Sequence, residues 1–191
     1  MERAVRTPDG RTLAVEGSGD PAGRPVLVHT GSPNNSRHLY GPHVRDAAAR
    51  GLRLISYERP GYGGSSPQPG RTVADCAGDV RAICAELGID RLATWGISGG
   101  GPHVLACAAL LPDLVTAAAS LASLAPYGAE GRCMPGSQNT YSAPVSPCII
   151  SLAATVTILR ARIRPTWIRW VATMMEPRWD TCHWTTIGPV A

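Results

Sequence analysis

The chain has 191 residues, 44% of them hydrophobic and 17% charged, a length that suits one domain whose core needs no disulfide staples. All 18 basic side chains are arginine, lysine and phenylalanine are absent, and the 14 acids leave a net charge of +4, too small to imply a nucleic-acid partner. No run reaches the roughly 18 consecutive apolar residues that suggest a membrane span. Met1–Arg11 is polar with no apolar signal core, so the expected setting is the reducing cytoplasm, where six cysteines without metal or disulfide spacing remain thiols.

The first 125 residues alternate strand and helix signals. Arg11–Glu16 alternates polar and apolar residues after the turn Pro8-Asp9-Gly10 and reads as an early hairpin strand. Pro25–His29 (PVLVH) is a short apolar run of the buried, parallel-strand kind, followed by a turn-rich loop, Thr30–Arg37. His38–Arg50 reads as a helix with Leu39, Val44 and Ala48 on one side and Gly51 as its stop. Leu52–Tyr57 is the next strand, and Arg59–Ser65 (RPGYGGS) a glycine-rich turn. Thr72–Leu87 is the strongest helix: Thr72 with Asp75 resembles a capping box, Val73, Ala77, Val80, Cys84 and Leu87 keep helical spacing, and Gly88 ends it. Leu92–Ile97 reads as a strand, Gly99–Leu111 as a helix stopped by Pro112, and Val115–Leu124 as a further strand. A hairpin followed by β-α-β-α-β-α-β predicts an α/β fold, a mostly parallel sheet with helices on both faces.

A seam divides the chain near residue 131. Residues 1–131 hold 12 arginines and 12 acids, whereas residues 132–191 hold 6 arginines and only Glu176 and Asp180. Nineteen of the 21 glycines precede the seam, and Trp167, Trp170, Trp179 and Trp184 follow it. Two units are therefore expected, a core over 1–131 and an atypical segment over 132–191. A shifted reading frame would produce such a change. So would a divergent segment whose tryptophans form an apolar lid, and reading the gene in its other frames separates the two. Within the segment, Cys148–Leu159 is a strand or a short buried helix, and Arg160, Arg162, Arg164 and Arg169 make a basic stretch that reads as a solvated face rather than a site for an anionic surface.

Chemistry concentrates at Gly96-Ile97-Ser98-Gly99-Gly100, a G-x-S-x-G sequence with a strand running into it and a helix leaving it. Small residues two before and two after the serine permit a tight strained turn that lifts the hydroxyl clear at the sheet edge, and the helix N-terminus favours developing negative charge. Ser98 is the candidate nucleophile. Acyl transfer also needs two backbone N–H donors for the oxyanion, here expected from Gly99 and, in the loop His29-Thr30-Gly31-Ser32-Pro33, from Ser32.

These residues resemble the α/β-hydrolase superfamily, in particular the branch of proline iminopeptidase-like and small-ester hydrolases. The loop at His29–Pro33, the turn Glu58-Arg59-Pro60-Gly61-Tyr62-Gly63-Gly64-Ser65, similar to the family's D-x-P-G-x-G-x-S pattern, and the elbow at Gly96–Gly100 match in order over about residues 10–125. Thr30 stands where many members carry His, and Glu58 where many carry Asp. The resemblance implies a structural role for the glycine turn and a catalytic acid and histidine after the elbow, in that order. Members continue through a cap and two more strands, so the fold is expected to be incomplete after about its sixth strand. The sixth strand would then be an open edge inviting self-association unless Cys148–Leu159 pairs with it.

His183 is the candidate base; His103 lies five residues past Ser98 on the elbow helix, a helix-surface or packing position, and Glu130 is a weak candidate acid. The expectation is a serine hydrolase for a small ester, amide or peptide, with no metal, organic cofactor, nucleic acid or membrane. The alternative is an inactive remnant or a binding protein that keeps the pocket without a triad. Cys76, Cys84 and Cys107 are expected to be small core residues.

Overall fold

The computed structural model describes residues 1–32 and 39–123, together with the backbone of strands at 156–160 and 184–187. The chain runs β1 (Glu2–Arg6), β2 (Thr12–Gly19), β3 (Arg24–His29), α1 (Gly41–Ala49), β4 (Leu52–Tyr57), α2 (Cys76–Leu87), β5 (Leu92–Ile97), a 3-10 turn (Ser98–Gly100), α3 (Gly101–Leu110), β6 (Val115–Leu121), β7 (Val156–Arg160) and β8 (Trp184–Ile187). One sheet has the order β1-β2-β4-β3-β5-β6-β7-β8. Its centre, β4-β3-β5-β6, is parallel, and the β1–β2 hairpin adds antiparallel to β4.

The central strands are apolar on both faces because both faces are covered. Along β3, Leu27 packs with Val80, Ile83 and Val104 of α2 and α3, while Val26 and Val28 face the other way, in the cluster that holds Ala47 of α1 and Trp95. In β4, Ile55 joins the first cluster and Leu54 the second. Period-2 alternation thus feeds two cores from one strand. The three cysteines expected as core residues, Cys76, Cys84 and Cys107, are buried free thiols.

Bounds of β4 and β5 match the expected strands, and three helices start later than expected or open differently. The first spans Gly41–Ala49 rather than His38–Arg50, with Pro42 in its first turn; residues 33–38 lie outside the described residues. The second begins at Cys76, not Thr72. Asp75 accepts from the Thr72 N–H at 2.5 Å and hydroxyl at 2.9 Å, but the chain from Thr72 to Asp75 forms turns rather than helix, so Val73 is exposed. Gly88, at φ +63°, ends this helix as expected. The third opens as a 3-10 turn whose first residue, Ser98, carries positive φ.

At the far side β7 pairs antiparallel with β6, Ala118 opposite Leu159, and β8 runs parallel to β7. The end of the Cys148–Leu159 stretch therefore lies in the strand Val156–Arg160, and β6 is not the open edge.

One buried charge fastens the hairpin. Asp79 of α2 has no exposure, with Arg11 Nη2 at 2.9 Å and Arg71 Nη1 at 3.3 Å from its carboxylate. Arg11 sits between β1 and β2, so the pair ties the hairpin to α2. Removing one partner of a buried ion pair leaves an uncompensated charge.

Candidate active site at the ends of strands 3 and 5

β3 pairs with β4 on one side and β5 on the other, so the order of connections reverses between β3 and β5. In open α/β sheets such a switch point leaves a crevice beyond the C-terminal strand ends. The register sets His29 opposite Gly96, so the loop after β3 and the turn after β5 leave the sheet side by side. Sheet pairing thus brings together positions 67 apart in sequence.

Ser98 is half-buried at this edge, with φ +53°. Among the described residues only Ala122, at φ +44°, is another non-glycine with positive φ. A side chain held there stores strain of about 1–3 kcal/mol that the surroundings must impose. The neighbours show how. A Cβ on Gly100 would overlap the His29 carbonyl oxygen, and one on Gly96 would stand 2.8 Å from the same atom. The elbow is pressed against the end of β3, which only glycine permits on either side of the serine.

Gly31 and Ser32 lie against the elbow. A Cβ on Gly31 would stand 3.5 Å from Ser98 Cβ and 3.9 Å from Ser98 Oγ; one on Gly99 would overlap Ser32 Oγ and lie 3.4 Å from Ser32 N. Three of the four sequence-predicted site residues, Ser98, Gly99 and Ser32, are thus brought together. The fourth, His183, lies outside the described residues, as does Glu130.

A family model described as the alpha/beta hydrolase fold matches residues 24–143. The chain belongs to the alpha/beta hydrolase fold family. It is 29% identical over 112 residues to the proline iminopeptidase of Xanthomonas citri, covering 57% of this chain and 35% of that protein. Among solved structures, an alpha/beta hydrolase fold protein from Nakamurella multipartita is similar at 35% identity and TM-score 0.56, covering 65% of this chain and 42% of that one. A putative aryl esterase from Burkholderia cenocepacia is similar at 27% identity and TM-score 0.55, covering 66% of this chain and 49% of that one. The chain therefore spans about a third of the length of the curated relative.

In this alpha/beta hydrolase two histidines sit close to the elbow, and both are held neutral. His103 is half-buried on α3, its Nδ1 is 3.1 Å from Gly99 O, and burial together with the Arg59 charge pulls its pKa down to about 4. His29 is fully buried, stacked against His103 at 5.9 Å, with Nε2 3.6 Å from Cys107 Sγ; burial pulls it down to about 3. Neither has the pKa of a general base near neutrality. Among the described residues no three His, Cys, Asp or Glu side chains form a metal site, and no helix is long and apolar enough to cross a membrane.

In the glycine turn, sequence reading marked Glu58 only as a departure from the family pattern and gave Arg59 no role. Glu58 is buried and its carboxylate accepts the Gly64 N–H at 2.6 Å, so it braces the turn. Arg59 reaches across to the loop after β3, donating to Thr30 O at 2.7 Å and Gly31 O at 3.0 Å. The available signal was an arginine at a strand end directly before Pro60-Gly61, inside a turn expected to pack beside the elbow.

Proposed function

We propose that this alpha/beta hydrolase is a serine hydrolase for a carboxylic ester, amide or short peptide, working through a Ser98 acyl-enzyme. Ser98 Oγ attacks the substrate carbonyl carbon. The new C–O bond forms as the serine proton passes to a base, the C–O or C–N bond to the leaving group breaks as that group takes the proton, and water then hydrolyses the acyl-enzyme. The Ser32 and Gly99 N–H groups stabilise the oxyanion, and the N-terminal end of the elbow helix adds partial positive charge. The observation carrying this reading is the positive φ of Ser98 on a turn pressed against β3, with the Gly31–Ser32 backbone alongside. His183 is the proposed base. A cytoplasmic setting is supported by the free thiols of Cys76, Cys84 and Cys107.

The test is active-site labelling. A fluorophosphonate probe modifies Ser98 in the wild-type chain and leaves Ser98→Ala blank; equal labelling of both rejects the assignment. His183→Ala is then assayed on a p-nitrophenyl ester, where unchanged turnover removes it from the mechanism.

A second reading, an inactive remnant or binding protein that keeps the pocket, is favoured by one observation. Among the described residues the two histidines beside the elbow are packed away, His29 fully buried and His103 Nδ1 against Gly99 O at 3.1 Å, and burial lowers the pKa of both. A folded wild-type chain that takes no probe supports it. The two-unit division, 1–131 and 132–191, and the shifted frame remain proposals. An alternative frame that encodes an Asp-bearing and a His-bearing segment supports the shift, and its absence rejects it.

A further inference from the structure

Arg59 is 6% exposed, and its planar fork takes two successive carbonyls of the loop after β3. Nη1 donates to Thr30 O at 2.7 Å and Nη2 to Gly31 O at 3.0 Å, with a longer approach of Nη2 to Ser32 Oγ at 3.4 Å. The Tyr62 ring lies 5.9 Å from the guanidinium carbon. A guanidinium can hold two adjacent acceptors in fixed geometry, and a lysine ammonium, a point charge, cannot.

Peptide planarity carries this contact one atom group further. The Gly31 C=O and the Ser32 N–H belong to one peptide unit, and in a trans unit they point in opposite directions. With Gly31 O held by Arg59, the Ser32 N–H is turned away from Arg59. Ser32 N lies 3.4 Å from where a Cβ on Gly99 would stand, and Gly31 lies against Ser98. Donation to Gly31 O also polarises the unit, and hydrogen bonds linked in this way strengthen one another by roughly 10–30% per bond.

We propose that Arg59 is a positioning residue for acyl transfer. Its fork locks the Gly31–Ser32 peptide with the N–H directed to the oxyanion site, and without the fork the unit rotates and offers its carbonyl instead. The inference rests on Ser98 being the nucleophile and adds what makes its oxyanion site form.

The test uses the full chain with Arg59→Met, Arg59→Lys and Arg59→Ala, each checked for wild-type circular dichroism. On a p-nitrophenyl ester, Arg59→Met is expected to lose about 100- to 1000-fold in kcat, the loss typical of one oxyanion donor, with KM nearly constant. Arg59→Lys recovers only a small part, and millimolar guanidinium ion partly restores Arg59→Ala. A kcat close to wild type in Arg59→Met overturns the proposal, as does a loss carried by KM alone. The second readout does not depend on turnover. In 15N-labelled protein the Ser32 amide resonance shifts in Arg59→Met, and an unmoved Ser32 amide overturns the proposal even if the wild-type chain proves inactive. A wild-type chain that neither labels nor turns over counts against Ser98 as nucleophile, while the amide readout still decides the role of Arg59.

Discussion

Two corners of the molecule bury charge and use it differently. At Asp79 a carboxylate with no exposure meets Arg11 and Arg71, and opposite charges hold a hairpin to a helix. At the end of β3, Arg59 is nearly as buried but directs its fork to two backbone carbonyls. The first arrangement fastens elements whose internal shapes are already set. The second sets the orientation of peptide planes in a loop that has no ladder to hold it. Damage at the first corner should appear as lost stability, and damage around the second as lost chemistry at Ser98.

The largest effect separating the corners is expected from Gly100→Ala. Its new Cβ meets the His29 carbonyl, so the elbow must shift, and fluorophosphonate labelling of Ser98 falls to the Ser98→Ala background. Labelling at the wild-type rate would mean the tight elbow is not needed. Next, Asp79→Ala should cost about 3 kcal/mol in urea unfolding, the low end for a broken buried pair because Arg11 keeps Asp9 while Arg71 loses its partner, and the fraction still folded labels normally. A loss of labelling without a loss of stability would erase the distinction between the corners.

Acid gives a smaller, graded effect. His29 and His103 have folded pKa values of about 3 and about 4, below the ordinary 6.5, so the unfolded chain takes up protons first on acidification. The stabilisation they provide is full above about pH 6.5 and drains as pH falls towards those folded values. His29 faces Tyr57, Cys107 and His103, with the Arg59 charge near, and no carboxylate is among the groups shifting it. Urea midpoints between pH 7 and about 4.5, above the usual carboxylate range, should decline in the wild-type chain and decline less in His29→Gln. Equal slopes in the two proteins would remove His29 as the cause.

The smallest effect is expected at Arg81, which forks onto Asp113 at 2.9 and 3.1 Å, distances as short as those at Asp79 but on the surface. Solvent and salt screen such a pair, so Arg81→Ala should leave the unfolding midpoint unmoved. A drop comparable to that of Asp79→Ala would show that burial is not what separates the two pairs.

Much of this was legible along the chain. LRLISY and LATWGI became β4 and β5 with the expected bounds, because short, mostly apolar segments between turn residues fit a parallel sheet covered on both faces. Helix starts were less legible. Thr72 and Asp75 carry a capping signal, yet the segment between them stays in turns and the helix waits until Cys76. Asp79 was hidden among the apolar positions of α2, since local spacing does not reveal that Arg11, 68 residues earlier, will answer its charge.

The amino-acid order by itself determined the alternation of strands and helices, the two-sided core and a serine flanked by glycines at a strand-to-helix turn, all properties of spacing within a few residues. Only the tertiary structure decided that His29 would lie opposite Gly96, that Gly31 and Ser32 would stand beside Ser98, and that Arg59 would hold the carbonyls of Thr30 and Gly31. Those contacts join distant segments, and a planar guanidinium or a peptide N–H acquires a direction only when the sheet has fixed both ends of the gap.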